Sequence, residues 1–191
     1  RHHTEDDSEI IWMSERDNYN HLYLYDKATG KVKNQITKGE WYVRQVLEVD
    51  EQNRRIYFQA SGVNKDEDPY FIRYYSINFD GSDMRDMTPS KGMHNAWLSA
   101  DKKYIVDVTS TVADAPVAVL RNAETGELVM DLETADISEI VANGWKAPEV
   151  FVAKGRDGKT DMWGIIIRPT NFDPSKKYPI LEYIYSGPGD H

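Results

Sequence analysis

The chain has 191 residues, of which 40% are hydrophobic and 12% aromatic, so its composition is typical of a folded domain and not of a disordered segment. Its formal net charge of −9 argues against a nucleic-acid-binding surface, because contacts to phosphate require clustered Lys and Arg. The chain contains no Cys, which excludes disulfides, thiolate nucleophiles and Cys-ligated metals within these residues.

Short alternating or apolar runs dominate the chain, and clusters of turn-forming residues separate them. In the first 132 positions these runs predict strands over residues 10–13, 21–25, 32–37, 43–49, 55–59, 70–78, 84–88, 96–98, 104–109, 115–121 and 128–132. Residues 136–143 then carry apolar side chains at helical spacing, which predicts a short helix. After residue 145 the pattern changes, and it predicts a hairpin over residues 149–154 and 160–168 and a strand over residues 178–185.

Several segments resemble one another at spacings of about 50 residues or about twice that, which gives a repeat near the roughly 40–50 residues of a propeller blade. The similar pairs are residues 26–30 and 122–126, 36–39 and 87–90, and 55–61 and 103–110. Two complete blades are predicted at about 39–88 and 89–133, with residues 1–38 supplying most of a third. A closed propeller requires four to eight blades. We therefore expect an all-β, partial β-propeller of about three four-stranded blades.

Two groups of motifs carry a resemblance to a known family. The first group lies near the end of the sequence and consists of Lys176-Lys177-Tyr178-Pro179 and Tyr185-Ser186-Gly187-Pro188. The second group lies earlier, over residues 14–17, 21–26 and 36–41, and the motifs occur in the same order as in the family. Residues 168–189 resemble the entry into the α/β-hydrolase domain of the prolyl oligopeptidase family, in its dipeptidyl peptidase IV branch, and the earlier segments resemble the propeller of bacterial members. The resemblance implies that residues 1–144 are propeller blades and that residues 145–191 begin the α/β-hydrolase (peptidase) domain.

The resemblance also implies where the chemistry lies. The chain contains no Gly-x-Ser-x-Gly nucleophile elbow, and Ser186, in Tyr-Ser-Gly-Pro, does not form one. In the family the catalytic Ser, Asp and His lie downstream of the matched segment, so we expect these 191 residues to be inactive alone. Tyr185 matches the family's tyrosine whose hydroxyl donates to the oxyanion, a role that suits a neutral phenol. The alternative for Tyr185 is packing at the end of a strand.

Other candidate site residues have simpler interpretations. The charged segment 15–17 is expected to form a surface ion pair in a blade turn and not to anchor substrate. His21 lacks partners at metal-ligand spacing, which favours a hydrogen-bonded strand histidine over a metal ligand or base. Residues 66–68 lack the pattern of a calcium loop and are expected to be solvated. No cofactor or metal is expected. The five Trp, which could form stacking platforms for sugars, are expected to pack in the core and at blade junctions: Trp12, Trp41, Trp97, Trp145 and Trp163.

The resemblance favours part of a serine exopeptidase that releases N-terminal di- or tripeptides after Pro or Ala. It implies short peptides with Pro or Ala near the N-terminus as partners, no nucleic acid, a homodimeric parent enzyme and a periplasmic or secreted location. Two alternatives stay open: a non-catalytic propeller that binds other molecules, and an acylaminoacyl-type hydrolase of the same fold.

Overall fold

The computed structural model describes residues 1–184, and almost all of its regular structure is antiparallel β-sheet. The chain divides into two compact units. The first comprises residues 1–111 and 116–135, and the second comprises residues 112–115 and the chain from residue 136 onward. Within the described range, no helix is long and apolar enough to cross a membrane.

The first unit consists of three four-stranded sheets, each a meander in which strands pair antiparallel in chain order. Such sheets are propeller blades, so the expected partial β-propeller is confirmed. The expectation that residues 1–38 supply only most of a blade was wrong, because a two-residue strand, too short to show a periodic pattern, completes that sheet. The blades are β1 (His2–His3), β2 (Glu9–Ser14), β3 (His21–Asp26) and β4 (Val32–Gln35); β5 (Tyr42–Asp50), β6 (Arg55–Ser61), β7 (Ile72–Asn78) and β8 (Arg85–Asp86); and β9 (Met93–Leu98), β10 (Tyr104–Ser110), β11 (Val117–Asn122) and β12 (Leu128–Thr134).

A repeated set of backbone hydrogen bonds aligns the three blades residue by residue. The last residue of each third strand, Asp26, Asn78 or Asn122, accepts a bond from a glycine three or four positions later. The residue after it donates to the carbonyl that precedes the second strand of its own blade, at 2.9 Å in all three blades: Lys27 to Ser8, Phe79 to Arg54 and Ala123 to Lys103. These bonds fix which positions are equivalent from blade to blade.

Consecutive blades pack face to face. Side chains alternate between the two faces of a strand, and this alternation sends Ile11 and Leu24 of the first blade against Ile56 and Phe58 of the second. A smaller buried cluster lies between the second and third blades: Tyr57, Tyr74 and Met87 with Ala96, Ile105 and Ala123. The core of this unit is therefore a series of layers between sheets.

The second unit contains α1 (Ser138–Ala142), β13 (Glu149–Lys154) and β14 (Asp161–Ile166). The two strands pair antiparallel, as the sequence predicted for this hairpin. The strand predicted over residues 178–185 is not formed in its described part, because no described strand pairs with residues 178–184 to take up their backbone hydrogen bonds. The assignment of residues 1–144 and 145–191 to two named domains stays a prediction.

The turn glycines offer a test of the blade contact with an internal control. Gly30, Gly81 and Gly126 all have positive φ, so alanine strains the backbone at each of them by about 1 kcal/mol. A Cβ at Gly126 would also lie 2.7 Å from the Asp86 carbonyl oxygen of the preceding blade, whereas a Cβ at Gly30 would meet nothing within 4 Å. We expect Gly126→Ala to cost about 3 kcal/mol or more and Gly30→Ala about 1 kcal/mol, measured by urea unfolding; equal losses would contradict this contact.

Candidate functional site

One end of the blades gathers the longer connections of the first unit. The loop between the second and third strands spans residues 15–20 in the first blade and 62–71 in the second. Because neighbouring strands are antiparallel, the linkers between blades, residues 36–41 and 87–92, lie at the same end. β12 also ends here, at Thr134, so the chain leaves the third blade at this end. We call this region the loop end.

Three buried side chains hold the linkers of the loop end. His21 Nε2 lies 2.9 Å from the carbonyl oxygen of Gly39. Arg73 Nη1 donates to the carbonyl oxygen of Thr88 at 2.9 Å, and His94 Nε2 lies 2.7 Å from that of Ser90. The bond to Thr88 is buried, where a carbonyl needs a hydrogen-bond donor, and each of the two linkers receives at least one such bond from a strand. The linkers are thereby fixed from within the sheets.

His21 is confirmed as a hydrogen-bonded strand histidine. Its Nδ1 lies 3.0 Å from the hydroxyl of Thr37, which also accepts the amide of Leu22. The ring packs edge-on against Trp41, with 5.0 Å between centroids. Both ring nitrogens are thus engaged inside the protein, and no group of residues within 1–184 has the composition of a metal site.

Arg73 forms a buried ion pair that the sequence interpretation missed. Its Nε and Nη2 bind the two carboxylate oxygens of Glu67 at 2.6 and 2.8 Å, and the two side chains are 4% and 6% exposed. Burial alone would lower the pKa of Arg73, but the bonds to Glu67 and the charge of Asp86 raise it. The expectation that residues 66–68 form a solvated loop was therefore wrong for Glu67, which turns inward and fixes the loop.

The third buried cluster centres on Asp107. His94 Nδ1 lies 2.7 Å from one carboxylate oxygen, and Arg121 Nε donates to the other at 2.8 Å. Burial alone would raise the pKa of Asp107, but the bonds from His94 and Arg121 outweigh it and hold that pKa below its usual value. Ser90, His94 and Asp107 are not arranged as a catalytic triad, because the histidine binds the backbone oxygen of Ser90 and not its hydroxyl.

The charged segment 15–17 does not form the predicted ion pair. The Arg16 guanidinium instead stacks on the ring of Tyr23, 4.4 Å from its centroid, and donates to the hydroxyl of Tyr25. The Tyr23 hydroxyl donates to Asp17, and burial together with this carboxylate raises the pKa of Tyr23 to about 12. The sequence feature that could have predicted this stacking is the alternation that places Tyr23 and Tyr25 on one face of a strand.

The tryptophans divide into two groups. Trp41 packs at the junction of the first two blades, stacked on Phe58, as expected. The same expectation was wrong for Trp12 and Trp97, which are 44% and 56% exposed, and Trp145 is also on the surface. Tyr185 and Ser186 lie outside the described residues, so the oxyanion role of Tyr185 stays a prediction.

The geometry of the loop end suits recognition more than bond-making chemistry. The buried side chains of His21, Arg73 and His94 bond to the backbone of the linkers. Asp66 and Tyr70 of loop 62–71 are exposed. A rigid scaffold that presents loops is a common basis for binding surfaces. The loop end therefore presents exposed loop residues beside linkers that are fixed by hydrogen bonds.

Comparison with known proteins agrees with this architecture. Residues 1–116 match the family model described as the dipeptidyl peptidase IV (DPP IV) N-terminal region. Dipeptidyl-aminopeptidase B of Aspergillus niger is 27% identical over 176 residues, which are 89% of this chain and 19% of that protein. Dipeptidyl peptidase 4 of Arthroderma otae is 26% identical over 181 residues, 93% of this chain and 23% of that protein. The chain thus spans about a fifth of the length of these curated relatives.

A solved structure shares the fold. The crystal structure of Porphyromonas gingivalis dipeptidyl peptidase 4 superposes with a TM-score of 0.71 at 23% sequence identity. The superposition covers 93% of this chain and 24% of that one.

The Asp107 cluster predicts an acid-sensitive contribution to stability. Asp107→Asn removes the negative charge between two buried donors and should cost about 3–5 kcal/mol near neutral pH. Because the folded pKa of Asp107 is lowered, its contribution is complete above the unfolded value of about 3.9 and is lost as pH falls further. Thermal unfolding from pH 7 to 3 should show the gap between wild type and variant narrowing below about pH 4.

The exposed Asp101→Asn is the matched control for this measurement and should change stability by less than about 0.5 kcal/mol. A gap between wild type and Asp107→Asn that does not depend on pH would contradict the assigned charge.

Proposed function

The chain belongs to the family of the dipeptidyl peptidase IV N-terminal region, and from this premise we propose that it is part of a serine-type dipeptidyl peptidase. The whole enzyme would be a hydrolase that releases N-terminal di- or tripeptides after Pro or Ala. The observation that carries the proposal is the family match over residues 1–116, which covers the first two blades and extends into the third. The similar proteins are dipeptidyl-aminopeptidase B and dipeptidyl peptidase 4, and this supports the dipeptidyl specificity.

The blades would act as the wall of the active site that selects short peptides. The buried side chains of His21 and Arg73 support this role because they bond to the backbone of the linkers, and a selective entrance requires loops that keep their positions. Residues 145–191 would begin the peptidase domain.

Tyr185 would contribute directly to the reaction. During attack on a peptide carbonyl the oxygen gains negative charge, and a positioned neutral hydroxyl stabilises that charge more than it stabilises the ground state. Serine attack also requires a base and an orienting carboxylate, and we assign these, with the nucleophile, to the remainder of the enzyme. By the same resemblance we assign the whole enzyme to a homodimer in the periplasm or outside the cell.

Activity measurements on the 191-residue chain and on the whole protein test this function. We expect the whole protein to release dipeptides from chromogenic Gly-Pro and Ala-Pro substrates and to react with a fluorophosphonate probe for active serines. The chain alone should do neither, because it contains no Gly-x-Ser-x-Gly. Turnover by the purified chain would contradict its inactivity, and a whole protein that binds peptides without cleaving them would favour a binding module.

Substitution of Tyr185 tests the oxyanion role. In the whole protein, Tyr185→Phe should lower kcat by about 10²–10³ with little change in KM, since the lost hydrogen bond acts mainly on the transition state. Tyr183→Phe removes a hydroxyl from the same segment and serves as the control, with kcat expected to stay within about twofold. Equal kcat values for Tyr185→Phe and wild type would exclude Tyr185 as the donor.

A further inference from the structure

A cavity lies at the end of the blades opposite the loop end. The turns between the first and second strand of each blade lie there, at residues 4–8, 51–54 and 99–103, and we call this region the turn end. The cavity has a volume of about 580 Å³, and all three blades contribute to its walls. Cavities of roughly 300–1,000 Å³ hold small molecules in other proteins, so the turn end has room for a ligand.

The walls of this cavity are acidic. Four carboxylates and the ammonium of Lys102 line it, and the carboxylates belong to Glu5, Asp50, Glu51 and Asp101. A cleft lined mainly by charges of one sign attracts ligands of the opposite sign. The volume is far larger than a metal ion requires, which favours an organic cation.

Two of these carboxylates are fixed in place. The two oxygens of Glu51 lie 2.7 Å from the amide nitrogen of Glu5 and 2.6 Å from Nε2 of His2, and these bonds lower the pKa of Glu51. Burial alone would raise the pKa of Asp50, but its bonds from Asn53 lower it. Each carboxylate oxygen has two acceptor sites, so both side chains can accept a further hydrogen bond.

A buried phenol lines the same cavity. Tyr57 is only 8% exposed. Burial and then the charge of Asp50 raise its pKa, so Tyr57 keeps its proton at neutral pH. Within residues 1–184 its hydroxyl has no hydrogen-bond partner. A free hydroxyl can both donate and accept a hydrogen bond, so this group is available to a molecule in the cavity.

Lys102 shows how these walls bind an ammonium group. Its Nζ lies 2.8 Å from a carboxylate oxygen of Glu48 and 3.7 Å from one of Asp50. Glu51 and Tyr57 make no such contact with a lysine inside the described part of the chain. A ligand ammonium could bind them in the same way, and the charge of Lys102 would oppose it, because like charges in one cavity repel.

We propose that the turn-end cavity binds an alkyl chain that carries a primary ammonium group, such as a free diamine or the side chain of a peptide lysine. The ammonium would lie against Asp50 and Glu51 and donate to the hydroxyl of Tyr57. An ammonium has three donors, which matches two carboxylates and one hydroxyl. The alkyl chain would lie along Val49 in the cavity wall. The proposal does not depend on the peptidase function.

Isothermal titration calorimetry of the whole protein with 1,5-diaminopentane at low salt tests this site. Binding should saturate, with a dissociation constant of roughly 0.1–1 mM. Glu51→Gln and Tyr57→Phe each remove one partner of the ammonium and should raise the dissociation constant at least about fivefold. Lys102→Gln removes the opposing charge and should lower it about threefold or more, a gain that misfolding cannot produce.

Glu15→Gln is the matched control, because it removes an exposed carboxylate from the loop end, and it should change the dissociation constant by less than about twofold. If Glu15→Gln weakens binding as much as Glu51→Gln, diffuse attraction by the negative net charge explains the result and the proposal is wrong. Heats that do not saturate, or a Lys102→Gln variant that binds no better than wild type, would also overturn it.

Two further ligands identify which group is recognised. 1-Pentanol keeps the alkyl chain without the ammonium, and binding as tight as that of the diamine would contradict the proposal. Nα-acetyl-lysine methylamide carries the same ammonium on a peptide unit. Tighter binding of this lysine derivative than of the diamine supports a peptide side chain as the ligand, and the reverse order supports a free diamine.

Discussion

The structure of the first unit depends on the burial of one sheet face against the next. A single four-stranded meander exposes an apolar face on each side and cannot bury either of them alone. Ile11 and Leu24 reach a buried environment only because Ile56 and Phe58 of the following blade cover them. Burial of such side chains contributes about 1.5–3 kcal/mol each, so the stability of every blade is tied to its neighbours.

Close stacking of sheets buries part of the linkers, at Thr37 and Thr88, so backbone groups there need partners inside the protein. Three side chains provide such partners: His21, Arg73 and His94. They come from different strand positions, but each bonds to a carbonyl oxygen of a linker at the loop end. Arg73 also needs a carboxylate partner, which Glu67 supplies, because a buried cation without a counter-charge is costly. Asp107 receives hydrogen bonds from His94 and Arg121 in the same way. One requirement, the satisfaction of a linker carbonyl, thus explains several buried charges.

The sequence predicted the blades well because hairpin turns and alternating strands leave local patterns. Residues 26–30 and 122–126 share a pattern of turn-forming residues and form the same turn. The hairpin of β13 and β14 was likewise predicted from its local sequence pattern. The buried ion pairs could not be predicted in this way. Glu67 stands between two aspartates in a polar segment, and only the fold shows that it meets Arg73 across the loop. The exposure of Trp12 and Trp97 likewise depends on which face has a neighbouring blade.

Equivalent faces of the second and third blades differ in chemistry. At the positions of Phe58 and Ile77 in the second blade, the third blade carries Asp107 and Arg121. Buried ion pairs are seldom more stabilising than the apolar residues that could replace them, but they disfavour a neighbour that leaves them unsatisfied. The linker carbonyl and hydroxyl of Ser90 complete the hydrogen bonds of this cluster.

Order among the blades can therefore be encoded in the faces. The contact between the first two blades is aliphatic and aromatic, whereas the face of the third blade that meets the second contains the ion pair of Asp107 and Arg121 beside apolar residues. Chemistry at the faces, and not shape alone, then decides which blades can be neighbours.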